Sequence, residues 1–388
     1  MIGVIADDLT GAAELGTVGL RHGLRAEIVQ LGQSVSPADL ICLDTDSRSC
    51  SALEAGRRAA AAAATLQAAG ARWIYKKVDS VLRGQVTAEV EAVLRQLRLD
   101  RALLLPANPS LGRVIRDGEY FVKGRPLHRT EFAHDPEYPR QSSQVLRLLD
   151  QPEYFLLCLA NGRHTVEPRT LLIAPADTSE HVHAWAAARP PGCLMVGGSE
   201  FFGALLARDF PGAVPLGAEK LNFSKGLELF ICGTASKSVQ LLVKAAKASQ
   251  VPVVGLPKEL IWDTHFSAEA CRVISQRVVT ALSGSRRVIL QVGLPPVRDL
   301  AVAGRLSRHL VDIAECVLGQ VRVKNIFAEG GATSAELVRR MKWPRLQVVR
   351  AWAPGVATLA VGGAGATAQW LTIKPGSYAW PEDWTRPH

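Results

Sequence analysis

The chain has 388 residues, a formal net charge of +9 at pH 7 and a hydrophobic fraction of 48%. This length and composition exclude an intrinsically disordered chain and predict a folded protein of two or three domains. The positive charge favours anionic partners. Because the Lys and Arg residues are dispersed, aromatic residues make up only 6% of the chain, and no nucleic-acid-binding motif is present, a nucleic-acid partner is not indicated.

The sequence lacks the usual signals for export, membrane insertion and zinc binding. Residues Met1–Ala6 run directly into two aspartates with no basic or long apolar leader, and no apolar run of about 18 residues follows. The seven cysteines are scattered and form no CxxC pair, which is typical of buried thiols in a reducing compartment. We therefore expect a cytoplasmic protein with neither a membrane contact nor a structural metal.

Short apolar runs alternate with helical patterns through the first half of the chain. The predicted strands are Ile2–Ala6, Ala26–Leu31, Leu40–Asp44, Trp73–Lys76 and Ala102–Pro106, and the predicted helices are Gly11–His22, Ala52–Ala69 and Thr87–Leu97. Strand, helix and strand at this spacing predict a mostly parallel sheet flanked by helices.

A long polar segment, Ala107–Pro139, interrupts this alternation and is expected to be irregular and functional. The alternation then resumes through Thr170–Ala174, His181–Ala188 and Leu194–Gly198. A break at Pro211–Gly226 places the predicted domain boundary near residues 220–225, with domains 1–222 and 226–388.

The second half repeats the alternation of strands and helices. Its predicted strands are Leu229–Cys232, Val253–Leu256, Val288–Gln291 and Asn325–Ala328, and its predicted helices are Ser236–Ala248, Ala268–Ser283 and Ser334–Met341. We therefore predict an α/β fold of two domains, each with a mostly parallel sheet flanked by helices.

Acidic residues follow the first predicted strand. The segment Asp7-Asp8-Leu9-Thr10-Gly11 lies where that strand ends and a helix begins, so Asp8 or Thr10 could simply cap the helix. Because adjacent carboxylates repel one another, a functional role such as holding hydroxyl groups or a metal is the competing interpretation. A phosphatase of the D-x-D-x-T type would need an intervening residue that is absent here.

Polar residues also follow the next strands of the predicted sheet. Asp44-Thr45-Asp46-Ser47-Arg48 ends one strand, and Lys76–Gly84, which contains Lys77, Asp79 and Arg83, ends another. Carboxylates, hydroxyls and cations on one rim suit a polyhydroxylated acid. His128, in the long polar segment, is equally suited to bind substrate or to satisfy a loop carbonyl.

Glycines precede two predicted helices of the second half. Gly233-Thr234-Ala235-Ser236 and Gly330-Gly331-Ala332-Thr333 each follow a strand, and a turn at Lys374-Pro375-Gly376-Ser377 comes later. Such starts allow close backbone approach and offer N–H groups to phosphate. Neither a Walker A sequence nor GxGxxG is present, which supports neither a P-loop enzyme nor a Rossmann dehydrogenase.

These segments together resemble the four-carbon acid sugar kinase family, which includes threonate, erythronate and 3-oxo-tetronate kinases. The resemblance covers nearly the whole chain, with the segments in the family's order. The further matching residues are Pro106-Ala107-Asn108-Pro109, Gly112-Arg113, Pro126-Leu127-His128, Thr130-Glu131-Phe132 and Asp135-Pro136.

The resemblance implies a sugar-acid-binding N-terminal domain and an ATP-binding C-terminal domain, with the active site in the cleft between the domains and Mg²⁺ bridging the phosphates. Nucleotide contacts would come from Ser236, from Gly330, Gly331, Ala332 and Thr333, and from Gly376. Substrate contacts would come from the motifs of Asp7 and Asp8, Asp79 and Arg83, with Asp46 and His128 as further candidates.

The expected reaction transfers the γ-phosphoryl group of ATP to a terminal hydroxyl of the acid sugar. Asp8 is the predicted base, with Asp79 as the second candidate, and Arg83 or Lys77 is predicted to bind the substrate carboxylate. The family usually has an acidic residue where this chain has Ala332. A catalytically weakened sugar-acid sensor of the same fold, and a metal-dependent phosphatase using Asp7 and Asp8, stay open as alternatives. Oligomeric state is likewise open, a homo-oligomer included.

Overall fold

The computed structural model describes residues 1–135, 137–160, 167–216, 226–262, 265–295, 299–362, 369–376, 378, 380 and 381. The chain divides into two compact units, Met1–Leu216 and Gly217–His388. The predicted boundary at residues 220–225 lies outside the described residues, so the predicted domain limits stay a prediction.

The first unit begins with the predicted alternation of strands and helices. Its strands are β1 (Ile2–Ala6), β2 (Ala26–Gln30), β3 (Leu40–Asp44), β4 (Ile74–Lys77), β5 (Arg101–Leu105), β6 (Arg113–Arg116), β7 (Glu119–Val122), β8 (Arg125–Pro126), β9 (Leu156–Leu159), β10 (Thr170–Ile173) and β11 (Leu194–Gly197). Its helices are α1 (Leu9–Arg21), α2 (Ala52–Ala68), α3 (Val86–Leu97), α4 (Val145–Leu148), α5 (Ser179–Ala188) and α6 (Ser199–Asp209).

A parallel sheet organises this unit, with the strand order β2-β3-β1-β4-β11-β5-β10-β9. The central strand β1 is buried at every position, as its continuous apolar sequence predicts. The chain proceeds from β1 to β2 and β3 on one side and then to β4 on the other side. The carboxyl ends of β1 and β4 therefore form a topological switch point, which is where open α/β sheets bind ligands.

The segment predicted to be irregular, Ala107–Pro139, instead contains a small antiparallel sheet in the order β6-β7-β8. Two tight turns connect its strands. Asp117 and Gly118 have φ values of 49° and 74°, and Lys123 and Gly124 have values of 50° and 75°. Two consecutive residues in the left-handed region are typical of the type I′ turn, whose twist matches that of the flanking strands.

The second unit repeats the α/β alternation and then ends in antiparallel strands. Its strands are β12 (Glu228–Cys232), β13 (Val253–Gly255), β14 (Arg287–Gln291), β15 (Asn325–Glu329), β16 (Arg345–Ala353), β17 (Val356–Val361) and β18 (Gln369–Lys374). Its helices are α7 (Lys237–Ala248), α8 (Ala268–Gly284), α9 (Leu300–Gln320) and α10 (Gly331–Arg340).

The strands of this unit lie in the order β13-β14-β12-β15-β18-β17-β16, and β17 is antiparallel to both of its neighbours. Phe230 and Phe327 stack in the core with ring centroids 4.2 Å apart. The direction of chain progression reverses between β12 and β15, which places a second switch point there. The predicted mostly parallel α/β fold is confirmed, whereas the predicted interdomain cleft stays a prediction.

Candidate active site

Three predicted polar segments meet at the carboxyl edge of the first unit's sheet. They follow β1, β3 and β4, which are adjacent parallel strands. The main-chain N–H groups of Ser47 and Arg48 both donate to the carbonyl of Asp7, at 2.9 and 3.2 Å. The loop after β3 is therefore tied directly to the loop after β1.

Arg48 joins the two adjacent aspartates. Its Nε donates to Asp7 Oδ2 at 2.7 Å, and its Nη1 donates to Asp8 Oδ2 at 2.6 Å. Burial acts to raise the pKa of Asp7, but the positive charges of Arg48, Lys76 and Lys77 outweigh it, so that pKa is lowered. One guanidinium thus removes the repulsion that two neighbouring carboxylates would otherwise experience.

Asp8 also caps α1. Its Oδ1 accepts a hydrogen bond from Gly11 N at 2.7 Å, and its Oδ2 accepts one from the Thr10 hydroxyl at 2.6 Å. The capping interpretation of this residue is therefore confirmed. The Asp8 side chain keeps a relative exposure of 19%, against 4% for Asp7, so Asp8 is the one of the two carboxylates that solvent reaches.

Asp79 is held by the loop in which it lies. Its Oδ1 accepts from the main-chain N–H groups of Val81 and Arg83, at 3.0 and 3.2 Å, and its Oδ2 accepts from Arg83 Nη2 at 2.8 Å. Burial acts to raise the pKa of Asp79, yet Arg83 and Arg48 lower it well below its usual value. Arg83 also pairs with Asp135 at 2.9 Å, which ties the small antiparallel sheet's following segment to this loop.

The two lysines at the end of β4 are buried and paired. Lys76 Nζ lies 2.9 Å from Glu89 Oε2, and the Ser47 hydroxyl donates to the other oxygen of Glu89. Lys77 Nζ lies 3.3 Å from Glu14 Oε2. The side-chain exposure of Lys76 is 0% and that of Lys77 is 4%, so these cations fix the loops and also supply positive charge to the aspartate cluster.

Two other predicted substrate ligands are more peripheral. Asp46 is exposed and has φ of 45°, and its carbonyl accepts a hydrogen bond from Arg58 at 2.6 Å. His128 is exposed, and its Nδ1 lies 2.7 Å from the Ser143 hydroxyl. His128 therefore hydrogen-bonds to a nearby hydroxyl group. This contact is similar to the structural alternative that the sequence left open, in which His128 satisfies a loop carbonyl.

Asp44 ends β3 and carries an unusual carboxyl group. Its oxygens accept from Gln30 Nε2 at 3.2 Å and from Asp46 N at 3.0 Å. Burial, together with the negative charges of Asp46 and Asp8, raises the pKa of Asp44 from 3.8 to about 7. The folded protein therefore retains a proton here that the unfolded chain has lost.

This shift predicts a pH-dependent stability. Because the pKa of Asp44 is raised in the folded state, its contribution is fully present below about pH 4 and is lost as pH rises to about 7. The shift corresponds to roughly 4 kcal/mol in the free energy of unfolding. Asp44→Asn should flatten the fall in unfolding free energy between pH 5 and pH 8, measured by urea titration. The exposed control Asp117→Asn should leave that fall unchanged, and an unchanged fall in Asp44→Asn would contradict the assignment.

Arg113 and Arg140 are two cations that sequence reasoning did not single out as ligands. Arg113 donates to the Ser80 hydroxyl, and Arg140 donates to the carbonyls of Leu82 and Tyr138 at 3.0 and 2.9 Å. Among the described residues, neither forms an ion pair with a carboxylate, unlike Arg83 and Lys77. Gly112-Arg113 is one of the segments that carry the family resemblance, whereas no local pattern distinguishes Arg140.

In the second unit, the buried carboxylate of Glu329 gathers the loops after β12 and β18. Its Oε1 accepts from the hydroxyls of Thr234 and Ser236 at 2.8 and 2.6 Å, and lies 3.3 Å from Lys374 Nζ. Its Oε2 accepts from Trp380 Nε1 at 3.0 Å. Burial outweighs the attraction of Glu329 and lowers the pKa of Lys374. The sequence pattern indicates the glycines that follow Glu329, but it does not indicate the carboxylate itself.

Three glycines surround this carboxylate network. A Cβ on Gly330 or on Gly376 would lie 3.1 Å from Thr234 Cγ2, and one on Gly233 would lie 1.9 Å from Thr333 Oγ1. Gly330 also has φ of +102°, which disfavours any other residue. Two predicted nucleotide-binding segments, those of Gly330 and Gly376, therefore converge on Thr234. The predicted Ser236 donates to the same carboxylate as Thr234, that of Glu329.

Helix α10 begins within this arrangement. Its ten residues start at Gly331, and Ala332 is exposed in the first turn. Thr333 is buried, and its hydroxyl oxygen lies 2.8 Å from that of Ser307. The first N–H groups of such a helix have no intrahelical partner and suit phosphate oxygens. Within the described part of the chain, no cluster of three His, Cys, Asp or Glu residues could hold a metal ion by itself.

Comparison with known proteins identifies the first unit. The sequence profile of the family described as the sugar-binding N-terminal domain matches residues 2–199. The chain belongs to this family. The matched residues include every loop of the Asp7, Arg48 and Asp79 cluster, so the predicted resemblance is confirmed.

Relatives of this sugar-binding family are named as kinases of four-carbon acids. A D-threonate kinase from Salmonella typhimurium is 27% identical over 365 residues, with 84% of this chain and 83% of the relative covered. A 3-oxo-tetronate kinase from Pseudomonas fluorescens is 27% identical over 416 residues, covering 97% and 94%. A D-erythronate kinase from Heliobacterium modesticaldum is 37% identical over 148 residues, covering 37% and 34%.

Solved structures share the fold of this family member. A Haemophilus influenzae protein has a TM-score of 0.75 at 23% identity, with 99% of this chain and 98% of that chain covered. A Salmonella typhimurium LT2 protein has a TM-score of 0.81 at 19% identity, with 99% and 97% covered. Among the described residues, no helix is long and apolar enough to cross a membrane.

Proposed function

We propose that this chain is an ATP-dependent kinase that phosphorylates the terminal hydroxyl of a four-carbon acid sugar of the threonate, erythronate or 3-oxo-tetronate type. The observation that supports this most is the Asp7–Arg48–Asp8 cluster at the switch point of a sugar-binding domain. Relatives over most of the chain are named as kinases of such acids. Carboxylates that one guanidinium already neutralises suit a hydroxyl-rich ligand better than they suit the metal ion of a metal-dependent phosphatase.

Asp8 is the residue that we assign to the attacking hydroxyl. It is the more accessible carboxylate of the pair, and its charge is held in place by Arg48 and by the start of α1. Asp79 is less suited to accept a proton, because its side chain is more buried than that of Asp8, with 8% against 19% exposed, and because Arg83 and Arg48 lower its pKa well below the usual value. Phosphoryl transfer depends mainly on positioning, so a carboxylate that orients the hydroxyl and takes up its proton is sufficient.

Asp7 is assigned a positioning role beside Asp8. Its Oδ2 holds Arg48, whereas its Oδ1 is buried and accepts no hydrogen bond from the described residues. A buried carboxylate oxygen without a donor is unfavourable. A water or a substrate hydroxyl that reaches this loop would supply the missing donor.

The substrate carboxylate requires a cation that is not already paired. Arg83 and Lys77, the predicted candidates, are occupied by Asp79, Asp135 and Glu14. Arg140 lies beside the same loop, because its Nη1 donates to the carbonyl of Leu82. Burial lowers the pKa of Arg140, which indicates a guanidinium that would gain from an anionic partner. We therefore assign the substrate carboxylate to Arg140. Arg113, whose guanidinium lies 5.8 Å from the centre of the Phe132 ring, is a further candidate.

Arg140→Met should raise the KM for the acid sugar by about 10–100-fold, the effect of losing one charge-assisted hydrogen bond. The KM for ATP should stay unchanged, which separates lost substrate binding from general damage. The exposed Arg129→Met is the matched control. Equal changes in both KM values, or no change in either, would contradict this assignment.

The second unit is assigned to ATP. The glycine-lined loops around Thr234 and the start of α10 offer the close backbone approach and N–H groups that phosphates require. ATP would supply the phosphoryl group, and Mg²⁺ would neutralise its phosphates, held largely by phosphate oxygens and water as is usual for this ion. Glu329, which already accepts from Thr234, Ser236 and Trp380, fixes these loops instead of binding a metal.

Gly330→Ala should raise the KM for ATP about tenfold or more, because the added methyl meets Thr234 Cγ2 and the residue must hold a positive φ. Gly362→Ala is the matched control, since Gly362 also has positive φ, at +74°, but has nothing within 4 Å of its added Cβ. Both variants should lose about 1 kcal/mol of stability. An equal KM for ATP in the two variants would show that strain alone, and not the loop contact, was responsible.

A coupled ADP-release assay with D-threonate, D-erythronate and 3-oxo-tetronate tests the proposed function. Acid-dependent ADP release with one of the three is expected. The exposed Ala332, where the family usually has an acidic residue, favours a second candidate, a sugar-acid sensor. Thermal stabilisation by an acid without any ADP release would support the sensor, and phosphate release from sugar phosphates without ATP would support a phosphatase.

A further inference from the structure

A cavity of about 530 Å³ lies at the opposite edge of the first unit's sheet from the candidate active site. Trp73 directly precedes β4, and Cys193 directly precedes β11, so the cavity is at the amino ends of these strands. Asp79 and Lys77 are at the carboxyl end of the same β4. The cavity is therefore separate from the aspartate cluster, and nothing in the proposed kinase reaction uses it.

The lining of this cavity combines cations with an apolar wall. Three arginines, Arg72, Arg189 and Arg208, line it, and no Asp or Glu is among its described lining residues. The guanidinium of Arg189 lies 4.5 Å from the centre of the Trp73 ring. The remaining wall is largely apolar, with Leu97, Leu99, Pro190, Pro191 and Met195.

The arginines are incompletely neutralised. The carboxylate of Asp209 lies 3.1 Å from Arg189 Nη1 and 3.9 Å from Arg72 Nη2. Arg208 donates to the carbonyl of Ala186 at 3.4 Å, near the end of α5. Arg189 and Arg72 thus share one carboxylate, while Arg208 bonds to a main-chain carbonyl, which leaves an excess of positive charge at the mouth of the cavity.

Trp73 supplies an independent observation. Its indole Nε1 is buried and has no hydrogen-bond partner among the described residues. Arginines near helix carboxyl ends are explained in part by the negative ends of helix dipoles. That explanation accounts for neither the empty volume nor a buried N–H donor without an acceptor.

We propose that this cavity is a second ligand site, which binds a small organic anion with a planar apolar body. The planar body would lie against the apolar wall beside Trp73. An anionic oxygen would pair with Arg72 and Arg208, whose side chains are the outermost cations of the site. Cations beside an apolar wall recognise an aromatic carboxylate or sulfonate in preference to a polyhydroxylated acid, which has no apolar face.

Nitrogen NMR of the indole groups tests this site, with 1-naphthalenesulfonate as the probe. The full-length chain is labelled with ¹⁵N-tryptophan, and the indole signal that disappears in Trp73→Phe is assigned to Trp73. This signal is expected to shift saturably as the probe is added. In Arg72→Glu/Arg208→Glu the probe should bind at least about tenfold more weakly, whereas the charge-matched control Arg277→Glu/Arg322→Glu, on exposed residues of the second unit, should bind as the wild type does.

Two results would overturn the proposal. One is a Trp73 signal that does not shift at any probe concentration while other indole signals do. The other is equal probe affinity in the two charge-reversal variants. If Arg72→Glu/Arg208→Glu fails to fold, Arg208→Gln, which removes a single exposed charge, takes its place with the same expected direction. Addition of ATP and acid sugar should leave the Trp73 shift in place, because this cavity is distinct from the proposed kinase site. A failure of the second-site proposal is therefore distinguishable from a failure of the kinase assignment.

Discussion

Asp8→Asn should lower kcat by about 10²–10⁴-fold, the usual effect of removing a positioned proton acceptor. Asparagine is also a good helix N-cap, so the side chain can still accept from Gly11 N and the start of α1 should persist. Binding of the acid sugar should therefore stay measurable by calorimetry while turnover is lost. Steady-state kinetics with ADP detection provides the measurement.

Asp79→Asn is the matched control for Asp8→Asn. Asp79 is bonded to Arg83 and to two main-chain N–H groups, so its replacement should loosen the loop after β4 and raise KM for the acid more than it lowers kcat. Normal turnover in Asp8→Asn together with abolished turnover in Asp79→Asn would reverse the two assignments.

Arg48→Met should remove activity and lower the free energy of unfolding by about 3–5 kcal/mol, the effect of leaving buried charges without a partner. Arg48 is the cation that contacts both Asp7 and Asp8, at 2.7 and 2.6 Å. Without it, the two carboxylates repel one another in a largely buried loop. Urea unfolding at neutral pH measures the loss.

A double variant separates lost charge pairing from lost packing. Asp7→Asn/Arg48→Met removes the buried carboxylate as well as its partner, so it should be more stable than Arg48→Met alone. Arg48→Lys keeps the charge but cannot bridge both aspartates with a planar guanidinium, and should be intermediate. Unfolding of Arg48→Met within about 0.5 kcal/mol of the wild type would place it with ordinary surface substitutions and contradict the role of Arg48.

The sequence predicted the strand ends of the site well, because β1 and β3 are nearly continuous apolar runs that lead directly into polar residues. Ile2–Ala6 and Leu40–Asp44 have the predicted bounds. It predicted the small antiparallel sheet poorly, although Asp117-Gly118 is a typical hairpin turn signal. The polar composition of the whole segment obscured the short alternating runs on either side of that turn.

Long-range pairing explains most of what could not be predicted. Lys76 and Glu89 are buried against each other, and neither residue alone indicates the pair. Glu329 likewise becomes informative once β12, β15 and β18 lie side by side and bring Thr234 and Lys374 to it. Arg140 could not be predicted for the same reason, because it contacts Leu82, which lies 58 residues earlier in the chain.

Phosphorus NMR of a mixture of the protein, Mg-ATP and each four-carbon acid tests the central claim most directly. The kinase assignment predicts that ATP is converted to ADP and that a phosphomonoester signal grows in equal amount, with one of D-threonate, D-erythronate or 3-oxo-tetronate and not without an acid. Asp8→Asn should give neither signal over the same period. Inorganic phosphate as the sole product, or unchanged ATP with all three acids, would contradict it.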